Sequence, residues 1–320
     1  MDRTPLVSIG VPTYNGERFI AESLGSLLAQ DYPNIQILIS DNASTDRTEQ
    51  ACRDAVLGDD RVRYERSSVN RGAAANFTYV MQQAVGPYFM WASDHDLWTP
   101  DFITACVSAL VANPEAVLAY PETVLIDASG SRIEVMDDQI EADQASALAR
   151  YKALIWRLEI CNMIYGVGRL DAFKQIGVTT TAIGSDHLFL AELALRGPIL
   201  RVGGERFLRR QNRPPETTSE AIDRTLTSLD PSSADSRRSL RPVSLYRELR
   251  DLHLRAIRDS SLRPWEQVDA YIWTVVCFAI RFGVAGRATQ ALMRRSKRLP
   301  IGHRVLRAVG RPSPPPGQRS

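Results

Sequence analysis

The chain has no stretch of about twenty predominantly apolar residues: its longest uncharged run, residues 72–93, is broken by Asn76, Gln82, Gln83 and Gly86-Pro87, which leaves nothing suited to cross a bilayer as a helix. Its four cysteines, Cys52, Cys106, Cys161 and Cys277, form no C-x-x-C pair, and its four histidines lack zinc-ligand spacing. A disulfide framework and a structural zinc site are therefore disfavoured, and buried thiols in a reducing compartment are expected. Met1-Asp2-Arg3-Thr4-Pro5 runs almost directly into a strand without the basic and apolar segments of a secretory signal, so the expected location is cytoplasmic. The first strand is followed by neither G-x-G-x-x-G nor a G-K-[ST] loop, which argues against a dinucleotide-binding Rossmann site and a P-loop. One further absence is regional. Residues 270–320 hold ten Lys or Arg and no Asp or Glu, so a net charge of +2 divides into a basic tail and a body carrying −8. Such a tail suits an anionic surface; with no aromatic interleaving or reading motif in it, a membrane is expected rather than nucleic acid.

A hydrophobic fraction of 44% with 24% charged residues is ordinary for a chain that buries a sizeable core. Strands are expected at Leu6 to Pro12, Ile35 to Ser40, Arg61 to Glu65 and Tyr88 to Ala92. Helices are expected between them at Glu17 to Gln30, Arg47 to Val56 and Ala73 to Gln83. This alternation predicts an α/β protein: an open, mainly parallel Rossmann-like sheet with helices on both faces.

Ligands of such sheets bind at the carboxyl ends of the strands, and four polar clusters fall there: Pro12 to Asn15, Asp41 to Asp46, Asn70 to Gly72, and Asp94 to Asp96. Asp94 and Asp96 lie two apart just past a strand end, so both carboxylates can face one hard cation, which in turn can hold a diphosphate.

Four segments, V-S-I-G-V-P-T-Y-N-G-E-R-F-I, I-L-I-S-D-N-A-S-T-D-R-T, N-R-G-A-A-A-N and S-D-H-D-L-W-T-P-D-F, together resemble the family 2 glycosyltransferases of GT-A fold. The resemblance covers roughly residues 6–105 and implies an inverting enzyme that uses a nucleoside-diphosphate sugar with Mg2+ or Mn2+. It implies that Thr13 and Tyr14, with Pro12 and Asn15 at the same strand end, line the nucleotide pocket. Asp41 would accept a hydrogen bond from the base, and Asn70 and Arg71 would lie near base or diphosphate. Asp94 would face the donor beside His95, and Asp96 would ligate the metal. Departures from the family pattern are His95 and Asn42, where many relatives have Asp, and Gln211, where many have His.

Beyond residue 105 a helix is expected from Phe102 to Asn113, then Ala116 to Tyr120 and a hairpin around Ser129-Gly130, with residues 134–146 as an acidic solvated loop. Ile183-Gly184-Ser185-Asp186 opens another helix and resembles the family segment that carries the general base. An inverting transferase needs one carboxylate to take the acceptor proton, and Asp186 is the candidate. The acceptor side would include Gly166, Arg169, Ser185 and Gln211, and Arg209, Arg210 or Arg213 could neutralise a departing diphosphate. The expected divisions are 1–110 (donor half), 111–213 (acceptor half), 214–242 (linker or flap), 243–311 (helical basic extension) and 312–320 (disordered tail). The apolar segment from Tyr271 to Ala285 either docks on the core or lies on an anionic membrane with the tail through residue 311. The acceptor hydroxyl would then belong to a lipid-linked or cell-envelope glycan or a glycolipid, on the inner face of the cell membrane. Two other readings are kept: a nucleotidyltransferase acting on a sugar phosphate, and a silent nucleotide-sugar-binding scaffold.

Overall fold

The computed structural model describes residues 4–177, 182–212, 217–232 and 242–282. Nine strands form one sheet: β1 Val7–Thr13, β2 Ile35–Asp41, β3 Val62–Arg66, β4 Tyr88–Trp91, β5 Leu97–Trp98, β6 Leu118–Ile126, β7 Arg132–Val135, β8 Val167–Arg169 and β9 Ile199–Arg210. The spatial order is β3-β2-β1-β4-β8-β6-β9-β5, with β7 paired to β6. β1, β2, β3 and β4 run parallel, so their carboxyl ends open on one edge. Every residue of β1, β2 and β4 is buried, as a strand covered on both faces requires.

The predicted elements are present with shifted ends, and several differ in kind. Pro12 does not stop β1, which continues to Thr13; pairing with β4 has already ended at Gly10, so the missing N–H costs no rung on that side. Leu97-Trp98 forms a short strand on β9 rather than a plain turn. The acidic 134–146 stretch is more than a solvated loop. Ile140 and Ala142 are buried, the Tyr120 hydroxyl donates to Ile140 O at 3.0 Å, and Ala142 bridges to Ile199.

The two faces of the sheet carry separate cores. On one, α1 (Ile20–Leu28), α2 (Thr48–Gly58) and α4 (Phe102–Ala112) bury Leu24, Leu27, Cys52, Phe102 and Cys106. On the other, α3 (Ala73–Gln83), α5 (Ala147–Arg157), α6 (Leu170–Ile176) and α7 (Ser185–Arg196) close over an aromatic cluster. In it Trp91 stacks on Phe173 with centroids 5.3 Å apart and meets Phe89 and Phe189 edge-on. Each such side chain contributes roughly 1.5–3 kcal/mol by leaving water.

Three more helices follow: α8 (Thr218–Leu229), α9 (Pro242–Arg258) and α10 (Pro264–Phe282). The expected linker or flap thus contains a helix, opened by a capping box between Thr217 and Glu220. The described part of the extension belongs to the second core: Ile257, Leu262, Ala270 and Cys277 join Tyr151 and Leu190 there. Arg281 donates to Ile155 O at 2.7 Å and Leu158 O at 2.6 Å, satisfying carbonyls at the end of α5. The opposite side of α10 is bare, with Trp265, Val268 and Ile272 each 61% exposed. The basic positions from Arg287 onward and the 312–320 tail lie outside the described residues.

Candidate functional site

The crevice at the carboxyl ends of β1, β2 and β4 is built by cross-strand hydrogen bonds between side chains that the sequence spaces far apart. The Thr13 hydroxyl, at the end of β1, donates to Asp94 Oδ2 at 2.6 Å. Gly16 lies against the same oxygen: a Cβ there would come 2.6 Å from Asp94 Oδ2 and 2.8 Å from Thr13 Oγ1, so a side chain at 16 would push into the carboxylate. Tyr14 is exposed at the crevice edge, and Asn15, with φ of 54°, turns the chain there while its N–H donates to Ser44 Oγ at 2.9 Å.

Asp41 is fully buried, and its oxygens already accept from Ser44 N at 2.8 Å and the Tyr64 hydroxyl at 2.8 Å, with Arg66 Nε 3.4 Å away. With these bonds Asp41 fixes the turn after β2. Asn70 is similarly occupied, accepting from Asn42 Nδ2 and Gly72 N, both at 2.8 Å. Arg71 donates its N–H to Asn42 Oδ1 at 2.9 Å, is exposed, and borders a polar cavity of about 180 Å³ with Asn42, Arg66 and Asn76. Asn42 thus ties the β2 loop to the α3 entrance.

Beyond β4, Asp96 is 2% exposed. One oxygen accepts from the Ser93 hydroxyl, and the other accepts from Arg210 N at 2.7 Å with His95 Nε2 3.9 Å away. His95 Nδ1 lies 2.9 Å from Asp94 Oδ1, so His95 bridges the two carboxylates. The Arg210 side chain, fully buried, donates to His95 O at 2.8 Å, Ala128 O at 3.0 Å and Glu22 Oε2 at 2.7 Å. It is committed to holding this loop and is no partner for a diphosphate. Its neighbour Arg209 points the other way, as side chains alternate along a strand, and lines a second cavity.

A carboxylate has about four lone-pair positions, and each Asp94 and Asp96 oxygen retains capacity after these bonds. Among the described residues no group of three or more His, Cys, Asp or Glu side chains could hold a metal alone. The pair therefore fits a magnesium-like ion completed by substrate phosphates and water, and does not fit an all-protein cage.

The second cavity, about 270 Å³, lies between α3, the 3-10 turn Asn162–Tyr165, α6, α7 and α8. Asp186 and Ser185, in the first turn of α7, are in its wall. Asp186 is exposed and does not cap the helix, a position held by Gly184 at φ of 80°. Burial, then the charge of Asp186 and a hydrogen bond to it, raises the Cys161 thiol well above its usual range. Tyr165 is also raised, by burial first and then by the charges of Asp96, Asp186 and Asp94, against the opposing field of Arg209. One side chain therefore feels all three carboxylates.

The remaining acceptor-side expectations are corrected. Arg169 spends its guanidinium on Ala116 O at 2.8 Å and Leu110 O at 2.9 Å, at the far side of β8. Gly166 is a packing position, where a Cβ would strike Ala119 O at 2.4 Å. Gln211 follows β9 with its N–H on Ile126 O, and its side chain is not part of the cavity wall. Cys161 carried no sequence signal, whereas Tyr165 opens the Tyr165-Gly166-Val167-Gly168-Arg169 segment that resembles an acceptor-side loop.

An open, mostly parallel sheet with carboxylates gathered beyond its strand ends defines a GT-A architecture. The fold is shared with S. aureus TarS in complex with UDP-GlcNAc, at TM-score 0.63 and 17% identity over 86% of this chain and 73% of that one. It is also shared with a Pyrobaculum calidifontis mannosyltransferase in complex with GDP-Man and Mn2+, at TM-score 0.51 and 16% identity over 95% and 84%. Residues 8–153 match the family described as Glycosyl transferase family 2. An uncharacterized glycosyltransferase of Rickettsia typhi is 30% identical over 186 residues, 58% of this chain and 56% of the relative. The chain thus spans about half the length of that relative.

Proposed function

We propose that the protein is an inverting glycosyltransferase that moves a sugar from a nucleoside-diphosphate sugar to a hydroxyl acceptor. The observation that supports this reading is that adjacent residues of β9 reach both carboxylate groups: Arg210 N donates to Asp96 at 2.7 Å, and Arg209 lines the cavity whose wall holds the exposed Asp186. Asp186 takes the acceptor hydroxyl's proton as its oxygen bonds to the anomeric carbon, and the bond from that carbon to the diphosphate breaks. Thr13 and His95 orient Asp94, and Ser93 with Arg210 N orients Asp96. Asp94 and Asp96 would hold Mg2+ or Mn2+, which when bound neutralises charge on the departing diphosphate. The Mn2+ in the Pyrobaculum calidifontis structure supports a divalent ion. Arg209, whose side chain makes no hydrogen bond or ion pair among the described residues, adds positive charge beside Asp186 in the cavity wall.

The acceptor fits a lipid-linked or cell-envelope glycan. Its support is the bare apolar side of α10, followed in sequence by a run of Arg and Lys without acidic residues, which suits the anionic inner face of a cell membrane. No helix among the described residues is long and apolar enough to cross a membrane.

The test is a panel of sugar nucleotides scored for protection against thermal unfolding, with and without Mn2+, followed by analysis of released products. Nucleoside diphosphate release supports glycosyl transfer, and pyrophosphate release would replace it with nucleotidyl transfer. Protection without turnover of any donor would leave only a binding protein.

A further inference from the structure

The cavity beside Asp186 has walls of unexpected chemistry for a sugar site. Phe77, Ile160, Ile164, Ile176 and Leu188 surround it and Leu229 of α8 lies over it. Ser185, Asp186, Arg209, Tyr165 and Cys161 bring polar atoms to it, while Asn162 is bonded to Asp138 at 2.6 Å, Thr225 to Ala221 O at 2.7 Å and Glu192 to Arg196 at 3.4 Å. None of Thr13, Tyr14, Asn15, Asp94 or Asp96 is part of the wall, although Ala73 and Trp91, next to two of the strand-end clusters, are. A sugar ring pressed into such walls would bury hydroxyls without partners, which is costly, whereas a hydrocarbon would gain from burial.

We infer that this cavity holds an aliphatic aglycone of the acceptor, with the acceptor's hydroxyl presented to Asp186. The inference rests on the glycosyl-transfer reading and adds the chemical class of the acceptor's non-sugar part. A volume of about 270 Å³ is at the lower end of small-molecule sites, roughly 300–1,000 Å³, so it takes the first carbons of a chain rather than a whole long lipid. Affinity should then rise with chain length and level off once the cavity is filled.

The experiment compares KM for a series of alkyl glycosides of one sugar, from methyl through butyl and octyl to dodecyl, using whichever donor the panel identifies. Each buried methylene is worth up to about fourfold, so KM should fall at least tenfold from methyl to octyl and change little from octyl to dodecyl. Two filling variants, Thr225→Phe on α8 and Ile160→Trp at the exposed rim, should shrink the methyl-to-octyl ratio toward one; the second keeps the test open if the first does not fold. Equal KM across the series in the wild type, or an unchanged ratio in a folded variant, overturns the inference while glycosyl transfer stands. A rise in donor KM without a change in that ratio would assign the cavity to the donor sugar and equally overturn it. If no donor and acceptor combination turns over, the transfer reading fails instead. Octyl glycoside protection against unfolding then decides the cavity, and no protection relative to methyl glycoside overturns its aliphatic assignment.

Discussion

His187 Nδ1 and His253 Nε2 meet at 3.0 Å, joining the helix that carries Asp186 to α9 through a single hydrogen bond between two buried imidazoles. The neighbours fix its direction. The Thr274 hydroxyl donates to Ala270 O at 2.7 Å, so it accepts from the Tyr151 hydroxyl at 2.8 Å. Tyr151 in turn accepts from His253 Nδ1 at 3.3 Å, which leaves His253 Nε2 to accept from His187. His187 Nε2 is then a bare acceptor with no partner among the described residues.

A proton added to either ring would place charge between Phe278 and the hydroxyls of Tyr151 and Thr274, with Arg281 nearby. Burial, then Arg281, lowers His187 to about 3; burial, then His187, holds His253 well below its usual range. Both groups bind protons more readily when unfolded, so stability is full above the ordinary imidazole range and falls as pH drops below about 6.5. Below pH 6 each imidazole should cost about tenfold in the folding equilibrium per pH unit. Urea midpoints at pH 7.5, 6 and 5 check this. A midpoint that stays flat over that range contradicts a neutral pair.

Asp96→Asn and Asp186→Asn should fail differently. Asp96→Asn removes a carboxylate whose oxygens accept from Ser93 and Arg210 N in a buried site, so transfer should fall at least a hundredfold and folding should weaken by about 1–3 kcal/mol. Asp186→Asn is exposed and should keep both fold and donor protection while transfer falls by about 10²–10⁴. Thermal melts with and without donor, beside a transfer assay, separate the two. Wild-type turnover in Asp186→Asn would remove it as the base.

Adjacent arginines offer a sharper contrast. Arg210→Met leaves Glu22, His95 O and Ala128 O without their buried donor and should destabilise by roughly 3 kcal/mol. Arg209→Met, on the cavity side, should barely move the melting temperature and instead lower kcat. Stability and kinetics measured on both variants check the assignment, and equal losses of stability would refute it.

Vesicle binding tests the outer side of α10. Because the inner side is tied to α5 by Thr274 and Arg281, a truncation must fall after Phe282 to leave the core whole. That truncation, and separately Val268→Glu with Ile272→Glu, should each reduce sedimentation with anionic vesicles at least tenfold without changing neutral vesicle binding. Undiminished sedimentation of both would rule out membrane attachment through this region.

The legible parts were those written locally. Continuous apolar runs announced the covered parallel strands, and Asp94, Asp96 and Asp186 stood at strand and helix ends where a short pattern suffices. Asp41 was visible at a strand end, and D-N-A-S also encodes an Asx turn, which its carboxylate makes with Ser44 N. Arg209 and Arg210 look alike in sequence; strand alternation says that they diverge and only packing says which turns inward. His187 and His253 are 66 positions apart, and their meeting depends on how α9 docks. The helix within 217–232 was hidden by a Ser/Thr-rich composition that resembles a linker.

Arg210 also orders the assembly of the site in time. Its guanidinium reaches Glu22 across 188 positions and His95 O across 115. The strand-end loops leave the ribosome early, whereas their clamp arrives only with β9, after most of the chain has been made. On the proposed reading, protection by a sugar nucleotide during refolding should report the docking of β9, not the collapse of the first hundred residues.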